Sequence, residues 1–358
     1  MRQFVSIQFL RGFAAMLVLV SHVAEGPIGD TAHISHPFPV GASGVDIFFV
    51  ISGFIMWSST AQRPNDVLAF WTARAVRIVP LYWIYTFLTL IWYVYNNEIP
   101  ATFRYSEIVR SLLFVPFTNS INGTSVPILG VGWTLNYEAL FYLVFGLGLL
   151  IGRPAWRFAG VCGVLVLLCL CRPFVNTGSA FAFRFTSPLF LEFGAGMAIA
   201  ILLSSRRFRI PPWAGAALAL AGAVCLVFAA YRLPAAPRTI VFGIPAALIV
   251  LGVVVLDPVL DGRRFPPLKL LGDASYSIYL SHGLVLSILV PALADSALTP
   301  TVGIAAVIGV TMGGGILSYW LLEQALLGWM RRRLLGRRRL PRATIGGGTL
   351  PPCSSKLD

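Results

Sequence analysis

The chain has 358 residues, 57% of them hydrophobic and only 11% charged, with a mean hydropathy of +0.80; soluble domains carry about a quarter charged residues, so an ordinary water-soluble fold is excluded. The formal net charge of +13 would suit nucleic-acid binding in a soluble protein, but here Arg and Lys flank apolar runs, which the positive-inside rule explains without a nucleic acid. Of five cysteines, Cys162, Cys169, Cys171 and Cys225 lie in or beside apolar runs and Cys353 lies in the tail, which gives no disulfide framework.

A spanning helix needs about 20 mostly apolar residues. Ten segments offer this: 4–24, 42–60, 79–97, 130–151, 155–171, 186–204, 212–231, 238–256, 272–294 and 302–325. The predicted fold is all-α, a polytopic integral membrane protein with an embedded domain over 1–328 and a basic, disordered tail over 329–358. Sorting the 27 Lys and Arg residues along these segments puts twenty on the N-terminal side, six on the opposite side and Arg11 within the membrane. The bias predicts an even number of crossings with both termini cytoplasmic.

Phe4 to Val23 reads as the first span and not as a secretory signal, because Arg11 interrupts it and no small-residue cleavage site follows Ser21-His22-Val23. Ionisable side chains inside a span cost at least a few kcal/mol each, and ordinarily face a protein interior or an aqueous cavity. Eleven residues make close to three helical turns, so Arg11 and His22 share one face about 16 Å apart. His22 then nears the outer boundary, either as a reactive group or as a plain interfacial residue. His33 and His36, in a loop with Glu25 and Asp30, read as solvent-facing, and no metal site is suggested.

Asp46 opens the second segment, in Gly44-Val45-Asp46-Ile47-Phe48-Phe49-Val50-Ile51-Ser52-Gly53-Phe54. Its expected depth matches that of His22, where a carboxylate can fix an imidazole's tautomer; the alternative is a helix-start aspartate favoured by the dipole. Arg74 and Arg77, one turn apart before the third segment, suit a phosphate-bearing ligand, although topology alone also puts positive charge there. Between the third and fourth segments, 103–114 has helical spacing suited to lie along the interface. Glu138, about 12 Å into the fourth segment, needs a partner, and Arg11, His22 or a substrate hydroxyl could serve. Glu192 in the sixth segment, and Asp273 and His282 in the ninth, complete the intramembrane ionisable groups, His282 standing as an alternative base. The tail opens with Arg331-Arg332-Arg333 and Arg337-Arg338-Arg339, an arm suited to anionic headgroups.

Taken together these segments resemble the acyltransferase 3 family, and within it the exopolysaccharide-production O-acetyltransferases. Ser6-Ile7-Gln8-Phe9-Leu10-Arg11-Gly12 leading to His22 is similar to that family's first-helix pattern, and Gly44 to Phe54 to its second-helix signature. Arg74-Ala75-Val76-Arg77 resembles its arginine pair, while Trp133-Thr134-Leu135-Asn136-Tyr137-Glu138 and Ser275-Tyr276-Ser277-Ile278-Tyr279-Leu280-Ser281-His282 match later segments. The resemblance implies a ten-helix enzyme of the bacterial inner membrane that moves an acyl group, usually acetyl, from cytoplasmic acyl-CoA to a hydroxyl of an exopolysaccharide or other surface glycan, beside polysaccharide biosynthesis machinery. By the same resemblance His22 is the catalytic histidine, Arg11 its companion, and Arg74 with Arg77 the contacts for coenzyme A phosphates.

The expected chemistry follows from these roles. His22 takes the proton of the acceptor hydroxyl, Asp46 or Glu138 orients or charge-balances the imidazole, and Arg11 stabilises negative charge along the route. An acyl-histidine relay is a second route. Two other classes bury similar residues: a secondary transporter, marked by substrate flux without acyl-CoA, and a non-catalytic partner of a polysaccharide assembly system, whose activity would survive loss of His22 and Glu138.

Overall fold

The computed structural model describes residues 4–24, 38–60, 66–205, 210–261, 265–294 and 299–334. His33, His36, Cys353, the arginines at 206, 207, 209, 263 and 264, and the tail beyond 334 lie outside these residues. Among the described residues there is no strand. The chain runs through α1 (Val5–Ala24), α2 (Ser43–Thr60), α3 (Val67–Tyr95), a short α4 (Tyr105–Leu112), α5 (Trp133–Gly148), α6 (Pro154–Leu170), a short α7 (Ala180–Phe185), α8 (Phe190–Ser204) and α9 (Pro212–Arg232). It continues through α10 (Ile244–Val255), α11 (Asp257–Asp261), α12 (Pro266–Ala294), α13 (Pro300–Ser318) and α14 (Ala325–Leu334).

Eight of the described helical segments are long and apolar enough to cross a membrane. The chain is therefore a multi-pass membrane protein. Two predicted spans are shorter: α5 has 16 residues behind a turn at Gly130–Gly132, and α10 has 12, extended by a π-turn at Thr239–Gly243. Helix direction decides whether they cross. Phe49, Ser52 and Trp57 of α2 meet Tyr137, Tyr142 and Phe145 of α5 in the same order, so the two helices run parallel. Since α3 returns between them, α5 crosses. Along α1 and α12, Gly12 abuts Gly272 and His22 meets His282, so these also run parallel. Parallel packing requires an odd number of crossings between α1 and α12, and α10 supplies the seventh after α2, α3, α5, α6, α8 and α9. With α13 and α14, one continuous helical segment joined by a π-turn at Tyr319–Gln324, as the tenth, ten crossings result, and the start of α1 and the end of α14 share one end of the bundle.

Two boundaries differ from expectation. The third helix begins at Val67 and not at 79, and it runs through Pro80 without a break; Arg74 and Arg77 interrupt the apolar run but not the helix. Its start is fixed by Asp66, whose carboxylate accepts from the Ala69 amide at 2.9 Å. The last helix, α14, continues to Leu334, across the expected boundary between domain and tail. The helix expected over 103–114 forms as α4, where Glu107 is buried and its two oxygens accept from the Arg104 and Ser120 amides.

Glycines set the closest approaches. A methyl group on Gly272 would run into the Gln8 carbonyl, and one on Gly44 into the Ala14 carbonyl. Close backbone contact through small residues holds helices together where lipid removes the ordinary hydrophobic drive between them.

Candidate functional site

His22 ends α1 on the far side of the bundle from the termini, and it is exposed. Its Nδ1–H donates to the Val18 carbonyl at 2.9 Å, which leaves Nε2 as the basic nitrogen. Its ring meets that of His282 edge to face, centroids 5.1 Å apart. His282 is 1% exposed, so the two imidazoles form one pair, half at the surface and half in the interior.

Asp46 does not join them. Gly44 abuts Ala14 and Val18, which places Asp46 deeper than His22 by on the order of 10 Å along α1. The buried carboxylate takes a two-point ion pair from Arg238, at 2.7 and 3.1 Å, while the same guanidinium donates to the Ala42 carbonyl at 2.9 Å. Glu192 lies against this pair, and neither of its buried oxygens has a donor among the described residues. The expectation that Asp46 orients His22 is thus corrected: Asp46 ties the start of α2 to the start of the π-turn before α10.

Glu138 also lies elsewhere. Its carboxylate accepts from the Tyr142 hydroxyl at 2.8 Å, and that hydroxyl sits 3.1 Å from Ser52 Oγ. The charges within its electrostatic reach are Arg77, Arg11 and Arg74. Glu138 therefore lies with the arginine cluster nearer the termini.

Arg11 and Arg77 line a polar cavity of about 410 Å³ together with Gln8, Asp273, Tyr319 and Glu323. Glu323 is buried and accepts from Ser277 Oγ at 2.6 Å, and Asp273 is paired with Lys269 at 2.8 Å. Arg74 lines a second, mainly apolar cavity of about 210 Å³ with Trp71, Phe114, Leu135 and Tyr142. The two arginines expected to share one face thus open on different cavities, with Glu138 in reach of both. Among the described residues no group of His, Cys, Asp and Glu could hold a metal ion.

Arg238, Glu323 and Arg184 are the polar participants that the sequence reading did not single out. Glu323 carries the same signal as Glu138, an acid in an apolar run. Arg184 had none: its guanidinium covers the Trp133 ring at 4.8 Å and donates to the Ser125 carbonyl at 2.6 Å, contacts that only the folded chain brings together.

An Acyltransferase domain family matches residues 4–320. The chain belongs to it. Exopolysaccharide production protein ExoZ of Rhizobium meliloti is 37% identical over 321 residues, covering 87% of this chain and 95% of that protein. Acyltransferase MdmB of Streptomyces mycarofaciens is 28% identical over 319 residues, 78% of either chain. Putative peptidoglycan O-acetyltransferase YrhL of Bacillus subtilis is 28% identical over 182 residues, 44% of this chain and 26% of that one. No solved structure matches. This membrane acyltransferase uses an acyl donor, and the question for its geometry is where donor and acceptor meet.

Proposed function

We propose that this acyltransferase moves an acetyl group from cytoplasmic acyl-coenzyme A to a hydroxyl of an exopolysaccharide or related surface glycan, with His22 as the base. The observation that carries the reading is the two-ended bundle. Arg11 and Arg77 line a polar cavity toward the end that holds the termini, and the exposed His22 keeps a basic Nε2 at the opposite end. The positive charge of the first end supports its being cytoplasmic, in a bacterial inner membrane. The resemblance in sequence to an exopolysaccharide production protein supports the glycan.

On this reading the anionic part of the donor binds at Arg77 and Arg11, whose planar guanidinium groups suit phosphate oxygens. Glu138, Glu323 and Asp273 limit the net positive charge of that cluster when no donor is bound. The thioester reaches the level of His22, about 16 Å along α1 from Arg11. His22 Nε2 takes the proton of the acceptor hydroxyl as its oxygen attacks the thioester carbon. The tetrahedral intermediate then collapses, the C–S bond breaks, and the imidazolium returns its proton to the leaving thiolate. Asp46 and Arg238 hold α2 and α10 in place and take no part in this proton transfer.

The test is the acetyl content of the cell's surface polysaccharide. Cells without this chain should make polymer lacking the ester, wild-type protein should restore it, and His22→Ala at equal membrane level should not, with a loss of about 100-fold or more. Polymer acetylated normally by His22→Ala would remove His22 from the mechanism. Polymer unchanged by loss of the whole chain would remove the glycan.

A further inference from the structure

The polar cavity assigned to the donor is short of positive charge. Arg11 and Arg77 line it, but so do Asp273 and Glu323, so the ionisable groups of its described lining balance. Acyl-coenzyme A brings a diphosphate and, on the 3′ carbon of its ribose, a phosphate that by itself carries close to two negative charges near neutral pH. Two guanidinium groups match the diphosphate. The 3′-phosphate is left to be matched from outside the cavity.

Lys269 stands at that entrance. It lies in the first turn of α12, four residues before Asp273, and its Nζ donates to Asp273 Oδ2 at 2.8 Å. Gly12 abuts Leu271 and Gly272, and Gly272 abuts Gln8, so Arg11 is level with the Leu271–Gly272 step of the parallel α12. Lys269 is then on the order of 4 Å nearer the end that holds the termini. A donor whose thioester points toward His22 trails its ribose phosphate at this level. The lysine side chain is 47% exposed and the aspartate 21%, so the pair joins the cavity wall to the solvent outside.

An exposed ion pair four residues apart on a helix adds little to stability, since water screens it and two side chains must be held still. It therefore opens at small cost. A phosphate with nearly two charges attracts the ammonium more strongly than a carboxylate with one.

Resting on the reading of acyl-coenzyme A as the donor, we propose that Lys269 leaves Asp273 and binds the donor's 3′-phosphate at the entrance of the polar cavity. It thereby selects coenzyme A thioesters over donors without that phosphate. Its flexible four-carbon stem lets it turn from one partner to the other. Lys269 touches no reacting atom, so its effect lies in donor capture. The positive-inside bias also puts lysines at this face, and a phospholipid headgroup offers the same chemistry as the donor's phosphate. The two sources part when the donor is changed and the membrane is not.

Membranes from cells lacking their own copy, permeabilised and carrying each variant at equal level, are given radiolabelled acetyl-coenzyme A or acetyl-3′-dephospho-coenzyme A. The kcat/KM for label transfer to glycan is compared. Wild type should prefer the 3′-phosphorylated donor about tenfold, the effect of one charge-assisted hydrogen-bonded contact. Lys269→Gln should lose that preference by falling about tenfold with acetyl-coenzyme A alone, and Lys269→Arg should keep it. In the double variant Lys269→Gln with Asp273→Asn the preference should stay lost. Its recovery there would mean that Lys269 acts by neutralising Asp273, and would overturn the contact. A wild type indifferent to the 3′-phosphate would overturn it too. So would a Lys269→Gln variant that keeps the preference, whether unchanged or lowered equally with both donors as a headgroup site requires; these results leave acyl-coenzyme A as the donor. Transfer from neither donor by wild type would instead overturn the reading on which the proposal rests.

Discussion

Arg238 decides whether Asp46 can stay charged in the bundle. Asp46 is fully buried, and its two oxygens share one guanidinium whose outer side is open. Removing one partner of a buried pair leaves an uncompensated charge, a cost of about 3–5 kcal/mol. Arg238→Ala should therefore destabilise the protein by about 3 kcal/mol, the lower bound because Arg238 is part-exposed. Asp46→Asn in the same chain should recover most of that loss. Unfolding in detergent micelles, followed for the single and double variants, measures both; a single variant as stable as wild type contradicts the account. At this scale the sequence was informative about which residues are unusual and silent about their partners. Arg11, His22, Asp46, Glu138 and His282 stand out because a charge in an apolar run is costly. That Asp46 faces Arg238, 192 positions away, depends on which helices pack, and no local spacing encodes that.

Helix contacts in the bundle are set by glycines whose neighbours leave no room for a methyl group. Gly272 is the tightest of these between α1 and α12, where a Cβ would meet the Gln8 carbonyl and backbone. Gly272→Ala should push the two helices apart, cost about 1–3 kcal/mol by overpacking, and separate His22 from His282. Gly309→Ala on α13 is the control, since nothing lies within 4 Å of its added carbon and alanine is the better helix former by roughly 1 kcal/mol. Acetyl transfer and unfolding measured side by side should show Gly272→Ala impaired in both and Gly309→Ala in neither; equal behaviour of the two would contradict the proposed contact. The elements themselves were legible, because an apolar run of spanning length has few other uses. The start of α3 was not, since Arg74 and Arg77 end the apolar run at a point where the helix, capped by Asp66, has already made three turns. The split of these two arginines between a polar and an apolar cavity was equally hidden, because one turn of spacing fixes their angle but not what packs on either side.

Across the whole molecule, the parallel pairs α1–α12 and α2–α5 turn a hydropathy pattern into a direction. Ten crossings put both ends of the described chain on one side, and with it the Arg11–Arg77 cavity, while His22 stands at the other end. Charge sorting in the sequence anticipated this parity, since Lys and Arg accumulate on alternate connections; it could not anticipate that the ionisable groups divide into a histidine pair, an Asp46–Arg238–Glu192 cluster and an arginine cavity at different depths. On the proposed mechanism an acyl group enters at one face and reacts near the other. Sealed vesicles of both orientations, given radiolabelled acetyl-coenzyme A that cannot cross the bilayer, test it directly. Label should reach the glycan only when the donor is supplied to the face that bears the termini, and not at all with His22→Ala in either orientation. Label transferred from a donor confined to the opposite face would contradict it.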